Sequence, residues 1–394
     1  MPWYLRHFFD PDFDHTALKP RPLARGRCDM RNLGYARNVL PGQVLAELTP
    51  LASAGGESGA EIDPRFILDA PVLPAGRHTA PDPRHPLRLL ATAAGYVYRE
   101  EGLIAVKTLL NVRGGVDFHT GNIAFVGKVH IHRDVGSGFT VRGTEVLVDG
   151  GVFGGRVRAR GDLAVRVGAR GDNANCLLSA GRNLRIGFAD KAELRAGNDL
   201  DIDQALHSAL LAGGGIVVRR NLNGGVCRAR RALAVGGDLG HASLAPTLVV
   251  LGDDPAWSRP LRRCSERLDK ARRTVDQCAP LAGHLPPDAN DCARRLARAR
   301  REAHILEKQR AFLQAGLERA RERQRPSRLV VTGCVHPGVR LVLDGAILDV
   351  ESPIRGARFE RRGDEVIVLP PGAETARPLC PGHPAYSRPS GRPS

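Results

Sequence analysis

Few residues in this chain have the types and spacing that chemistry needs, and each such group also has a plainer structural explanation. His130-x-His132 puts two imidazoles on one face of a strand, as a metal pair requires. Val129 and Ile131 take the inward face, which turns both histidines toward solvent, and the spacing suggests no third ligand. Gly213-Gly214-Gly215 and Gly236-Gly237 are glycine-rich, but no Gly-Lys-Ser/Thr follows and no helix opens there. Tight corners and close stacking account for them better than a phosphate cradle. Asp172, near Arg166 and Arg170, is the best acid/base group on offer, and surface charge explains it more economically. No catalytic residue, cofactor site or metal site is therefore expected.

The arginines are the other chemical resource. The net charge is +16, and residues 256–328 hold 19 Lys+Arg against 9 Asp+Glu. Well over half of the excess thus sits in less than a fifth of the chain. Arg262, Arg263, Arg272, Arg273, Arg294, Arg295, Arg298 and Arg301 are the candidate partner-binding residues, with Arg300 beside them. Such a set attracts phosphates without sequence preference. Only Trp257 and Phe312 are aromatic in this segment, which gives little basis for base stacking. A solvated face of a helical pair is the default reading of such charge and an acidic protein partner the next, with self-association through a coiled coil a further expectation and nucleic acid the alternative.

These residues need elements to hold them. Apolar-x-apolar triplets recur from Val129-His130-Ile131 through Val146-Leu147-Val148, Leu163-Ala164-Val165, Leu184-Arg185-Ile186 and Leu200-Asp201-Ile202. Ile216-Val217-Val218, Leu233-Ala234-Val235 and Leu248-Val249-Val250 complete the series, with steps of 17, 17, 21, 16, 16, 17 and 15 residues. A fixed period in this range marks a solenoid. Glycine is abundant (45 residues) and aromatics scarce (5%), as tight corners and a narrow aliphatic interior demand. Asn122, Asp162, Asn183, Asp199 and Asp238 precede triplets, where short polar side chains can hydrogen-bond the corner above or below. The strands predict a mainly β, right-handed parallel β-helix. The 21-residue step holds Ala169 to Asn175, an insertion expected to bulge from one edge.

The period then changes. Trp257, Leu261, Cys264, Leu268, Ala271, Val275 and Cys278 alternate in steps of four and three. Leu296, Ala299, Ala303, Leu306, Arg310, Leu313, Leu317 and Ala320 do the same. These are heptad seams on two helices, broken around Gly283 to Asp288, with Asp288 as a cap. An antiparallel coiled-coil hairpin inserted between successive coils follows.

The boundaries drawn are an irregular N-terminal segment at 1–37, with prolines at 2, 11, 20 and 22, and a short-strand region at 38–111. The β-helix covers 112–255, the basic hairpin 256–327, returning β-helix strands 328–370, and a Pro/Ser/Gly/Arg-rich disordered tail 371–394. Residues 51–88 read as a loose connection. The first residues lack the apolar run of a signal peptide, and no segment reaches the length of a membrane span. The eight cysteines form no CxxC pair, so they read as free thiols of a cytoplasmic protein.

Against this background the chain resembles the bacterial flagellar assembly protein A family. The resemblance rests on Gly115 to Gly127 (GVDFHTGNIAFVG), Asp134 to Val141, His207-Ser208 and Gly236 to Gly240, with Val39 to Leu48 upstream. A helical hairpin ahead of Val335-His336-Pro337-Gly338-Val339 fits as well, so the resemblance spans about residues 38–370. It implies a β-helix with an inserted coiled coil, an interaction role in flagellar assembly and polar organisation, and no enzymatic residues to carry over. One branch of the family is associated with a sugar-phosphotransferase component. This chain departs from the family in its reduced N-terminal region, so a partner that docks there is not carried over. An enzyme of the β-helical lyase or acyltransferase kind is the remaining alternative. The missing export signal and the irregular steps speak against it.

Overall fold

The computed structural model describes residues 2–14, 18, 20–22, 24, 28–54, 62–171, 176–242, 246–252, 255–282, 291–322 and 326–370. The chain divides into two compact units, Met1–Arg195 and Ala196–Ser394. Each contains a run of parallel solenoid coils.

The first unit opens with an antiparallel sheet rather than with irregular chain. Trp3–His7 pairs on one side with Val44–Pro50 and on the other with Ile67–Leu68, and Arg88–Ala91 and Thr79–Pro81 extend the sheet. Alternation explains the strand: Leu5 is buried while Arg6 faces solvent. Its partner lies some forty residues on, out of reach of local pattern. Leu5, Leu45, Leu48, Phe66, Leu89, Ile104 and Val106 share one core. The segment 51–88, expected to be a loose connection, thus supplies Phe66 to that core and both edge strands, Ile67–Leu68 and Thr79–Pro81, to the sheet. Gly95–Glu100 and Leu103–Lys107, within the short-strand region, form an antiparallel hairpin, with Glu101 and Gly102 both at positive φ in the two-residue turn.

Coils follow, each with three faces. On the first face, Leu109–Val112, Lys128–Ile131, Val146–Val148 and the starts of Leu163–Arg170 and Leu184–Asp190 stack in parallel. Every second residue points inward, so Leu110, Val112, Val129, Ile131, Val146, Val148, Leu163, Val165, Leu184 and Ile186 are all buried. A second face stacks Ile123–Ala124, Thr140–Gly143, Arg156–Ala159 and Cys176–Ala180. A short third face joins Val116, Val135 and Val152, then Ala169. Coils must pack at strand spacing, which leaves no room for side chains at some corners: a Cβ on Gly181 would overlap the Arg160 carbonyl of the coil before.

The second unit repeats the pattern. Leu200, Ile216, Leu233 and Leu329 head successive rungs of its first face. Ala209, Val226, Leu248 and Arg340 follow one another on its second. Leu248-Val249-Val250 is therefore not the eighth rung of the Val129 series. It lies on the other face with Val249 inward and Leu248 and Val250 half-exposed. The run is apolar at both parities, so alternation alone could not assign its face. The true next rung is Leu329-Val330-Val331, beyond the helices.

The corner ladder behaves as expected. The N–H of Thr140 donates to Asn122 Oδ1 (2.8 Å), that of Asn183 to Asp162 Oδ1 (3.1 Å), and that of Gly215 to Asp199 Oδ1 (2.7 Å). Each carboxylate or amide thus holds the corner of the next coil. Gly214 and Gly237 stand at these corners too, their N–H groups donating to the carbonyls of Asn198 and Arg220.

Pro255–Ala282 and Asp291–Glu322 are the two long helices, and they pack together. Trp257 lies by Phe312, Cys264 Sγ lies 3.3 Å from the Leu306 carbonyl, and Arg267 pairs with Glu302. As one helix advances the other retreats, so they run antiparallel. Cys264, Leu268, Ala271, Cys278, Leu296, Ala299, Leu306, Leu313 and Leu317 are buried, following the expected heptad seam. Gly316 was not among the seam positions; the Trp257 ring lies where its Cβ would be. The expected break at Gly283 to Asp288, the bulge residues 172–175 and the tail 371–394 lie outside the described residues.

Among the described residues after the helices, only Arg328–Val335 and Val339–Leu343 continue in parallel. Ala346–Asp349, Ile354–Arg362 and Glu365–Leu369 turn antiparallel instead. Short turns such as Asp344-Gly345, both at positive φ, permit only this reversal. The first two returning strands thus extend the ladder, and the last three close it.

Candidate functional site

All eight candidate arginines are exposed on the hairpin. Arg272 pairs with Glu307 at 2.7 Å, and Arg262 lies 3.8 Å from Glu266 one turn away. The hydrogen bond from Arg272 holds the Glu307 carboxyl below the usual carboxylate range. The other six have no ion-pair partner among the described residues. Arg295 and Arg298 meet in a shallow groove between the helices, lined also by Arg267, Lys270, Thr274 and Glu302. Arg301 joins Arg267, Arg298 and Ile305 in an adjoining hollow. Arg262, Arg263, Arg272, Arg273 and Arg294 line neither. Arg267 and Lys270 were missed from the sequence because the groove arises from helix pairing rather than from arginine doublets. Phe312 and Ile305 are exposed on the same helix, at 61% and 64%.

The histidine pair is less idle than its spacing suggested. Ile131 pairs with Val148 across adjacent coils, and the Asp149 N–H donates to the Ile131 carbonyl at 2.8 Å. This register puts Asp149 beside His132. Asp149 Oδ2 lies 2.8 Å from His130 Nε2 and 3.1 Å from His132 Nδ1. The imidazole centroids are 4.1 Å apart. One coil earlier, Asn111 Oδ1 lies 2.6 Å from His132 Nε2. Burial pushes the Asp149 carboxyl up, but the hydrogen bonds of His130 and His132 and the charges of His130 and Arg166 bring it below its ordinary value. The expectation of two histidines turned freely to solvent is thus corrected: His130 is half-buried and both are engaged. A spacing search along one strand finds no third ligand because Asp149 comes from the next coil. The 17-residue step from His132 to Asp149 is the signal that finds it.

Of the proposed acid/base group, Asp172 lies outside the described residues. Arg166 Nη1 lies 3.2 Å from Asp149 Oδ1, and Arg170 Nε 3.3 Å from Asp190 Oδ2. These arginines are spent on neighbouring coils. Among the described residues six cysteines are free, and burial pushes Cys176 up to about 11 and Cys227 to about 12. Neither has the lowered pKa of a reactive thiol. No helix of the described residues is long and apolar enough to cross a membrane.

Stacked parallel coils, corner ladders and an inserted helical pair define a β-solenoid protein. Residues 108–366 match the Flagellar Assembly Protein A beta solenoid domain, and the chain belongs to that family. Neither the comparison with curated proteins nor that with solved structures gave a match.

Proposed function

We propose that this chain is a non-catalytic scaffold in flagellar assembly, working in the cytoplasm at the cell pole, and that its hairpin recruits an acidic protein. Membership of the family supports the flagellar setting. The observation that carries the hairpin assignment is the groove where Arg267, Lys270, Arg295 and Arg298 converge against a single carboxylate, Glu302. A solvated helix face spreads its charges and pairs them along its own length, as Arg262 and Glu266 do. Convergence of four cations from two helices on one carboxylate, which Arg267 already engages, raises the local potential and favours an anionic surface.

The test is charge reversal within the groove, Arg295→Glu with Arg298→Glu, which leaves the buried seam intact. Capture of acidic proteins from native lysate is expected to fall at least tenfold with an unchanged circular dichroism spectrum. Unchanged capture would overturn the assignment. Duplex DNA of arbitrary sequence is the competing ligand; binding that weakens steeply with salt and disappears in the same variant would transfer the groove to nucleic acid.

A further inference from the structure

We propose that His130, His132 and Asp149 form a binding site for a divalent transition-metal ion of the zinc type. The three ligand atoms lie within 4.8 Å of one another. Asp149 Oδ2 is 2.8 and 3.1 Å from the two ring nitrogens. Metal–ligand bonds of about 2.0–2.1 Å set ligand edges of roughly 2.9 Å at right angles and roughly 3.3 Å in a tetrahedron. Both carboxylate edges fall near that range. Two imidazoles and one carboxylate suit zinc and its first-row neighbours, and not the all-oxygen shells of calcium or magnesium.

A second observation concerns the His132 ring. Its Nε2 faces Asn111 Oδ1 at 2.6 Å while its Nδ1 faces Asp149 Oδ2 at 3.1 Å. Both partners are oxygen acceptors, and a neutral imidazole has only one N–H to give. With Nε2–H donated to Asn111, Nδ1 presents a lone pair to a carboxylate, an arrangement that calls for a cation between them. Asn111 then acts as the outer partner that orients a metal-bound histidine. Turning the Asn111 amide over, or a second proton on His132, gives the metal-free alternatives.

The carboxylate itself has capacity to spare. Asp149 Oδ1 is buried without a hydrogen bond; Arg166 lies within ion-pair distance of it, at 3.2 Å, but not in hydrogen-bonding geometry. The Arg166 charge opposes a second cation, yet its side chain is 61% exposed and can swing aside. The ligands stand on or directly beside strands of a parallel ladder, so their backbones are fixed before any ion arrives. Three protein ligands leave coordination positions for water, and an ion here would clamp adjacent coils together.

The full chain, stripped with a chelator, is titrated with Zn2+ by calorimetry and with Co2+ by visible absorption. One tight equivalent is expected, with Co2+ bands typical of nitrogen and oxygen ligands and a rise in Tm on adding Zn2+. His132→Ala and Asp149→Asn are each expected to weaken that equivalent at least tenfold and to abolish the Tm rise. Asn111→Ala is expected to weaken it less. Thirteen histidines and eight cysteines offer other weak sites, so His119→Ala serves as the control and is expected to change nothing. Absence of a tight equivalent overturns the proposal. So does an equivalent that survives His132→Ala and Asp149→Asn in folded protein, or Co2+ bands of thiolate type.

Discussion

Asp238 Oδ1 accepts a hydrogen bond from the Cys334 N–H at 2.8 Å, although 96 residues separate them. The same corner contact that joins coils 16 to 21 residues apart elsewhere here reaches over the whole hairpin. Ala232–Val235 and Arg328–Val331 pair in parallel across the same gap. The hairpin is therefore an insertion at a corner, and the ladder closes behind it. Asp238→Ala is expected to cost roughly 1 kcal/mol, since it leaves a part-buried N–H without its acceptor. Asp238→Asn, which keeps an acceptor, is expected to recover most of it in denaturant melts.

The packing of coils at Gly181 makes a second expectation. Gly181→Ala places a methyl group against the Arg160 carbonyl, a backbone atom that cannot rotate away. A loss of about 1–3 kcal/mol in unfolding free energy is expected. Gly345→Ala serves as comparison, since no atom lies within 4 Å there and only the strain of its positive φ is at stake. Equal losses at the two sites would contradict close stacking as the cause at Gly181.

His7 gives the N-terminal sheet a pH dependence. Burial first, and then the nearby Arg99 charge, lower its pKa from 6.5 to about 4, while Asp12 and Asp63 oppose them. Its Nε2 is buried without a partner. Below pH 6.5 the unfolded chain takes up a proton that the folded chain refuses until about pH 4. Stability is therefore intact above 6.5 and declines as pH falls through that window. After allowance for partial solvent access the loss is roughly 1–2 kcal/mol. His7→Leu should flatten this part of the profile, and an unchanged profile would remove His7 as its source.

The hairpin seam is the place to separate the two kinds of stability. Leu268 is fully buried between the helices, and Leu268→Ala is expected to cost about 2–4 kcal/mol locally. Hydrogen exchange should quicken in the helices and stay slow in the rungs headed by Leu200, Ile216 and Leu233. Uniform loss of protection would mean that hairpin and ladder unfold as one.

Much of this was legible in the sequence. Alternation at Val129, Val146 and Leu163 fixed both the inward face and the coil step, and the change to steps of three and four exposed the helices. Leu248 misled because its run is apolar at both parities and the hairpin displaces the next true rung to Leu329. Trp3–His7 was hidden because its pairing with Val44–Pro50 is long-range, while nearby prolines suggested irregular chain. Asp149 was missed for a related reason: stacking brings it to His132, and no single-strand spacing records that. The arginines were visible, but which of them converge with Arg267 and Lys270 depends on how the helices pair.

The central claim is that the hairpin carries the partner site and the solenoid holds it. The most direct measurement compares the full chain with a variant in which residues 255–325 are replaced by a short Gly/Ser bridge. Both are first checked for β content by circular dichroism and then used for quantitative capture of acidic proteins from native lysate. The expected result is a folded, β-rich variant that captures at least tenfold less than the full chain. A folded variant that retains the same partners in the same amounts would contradict the account.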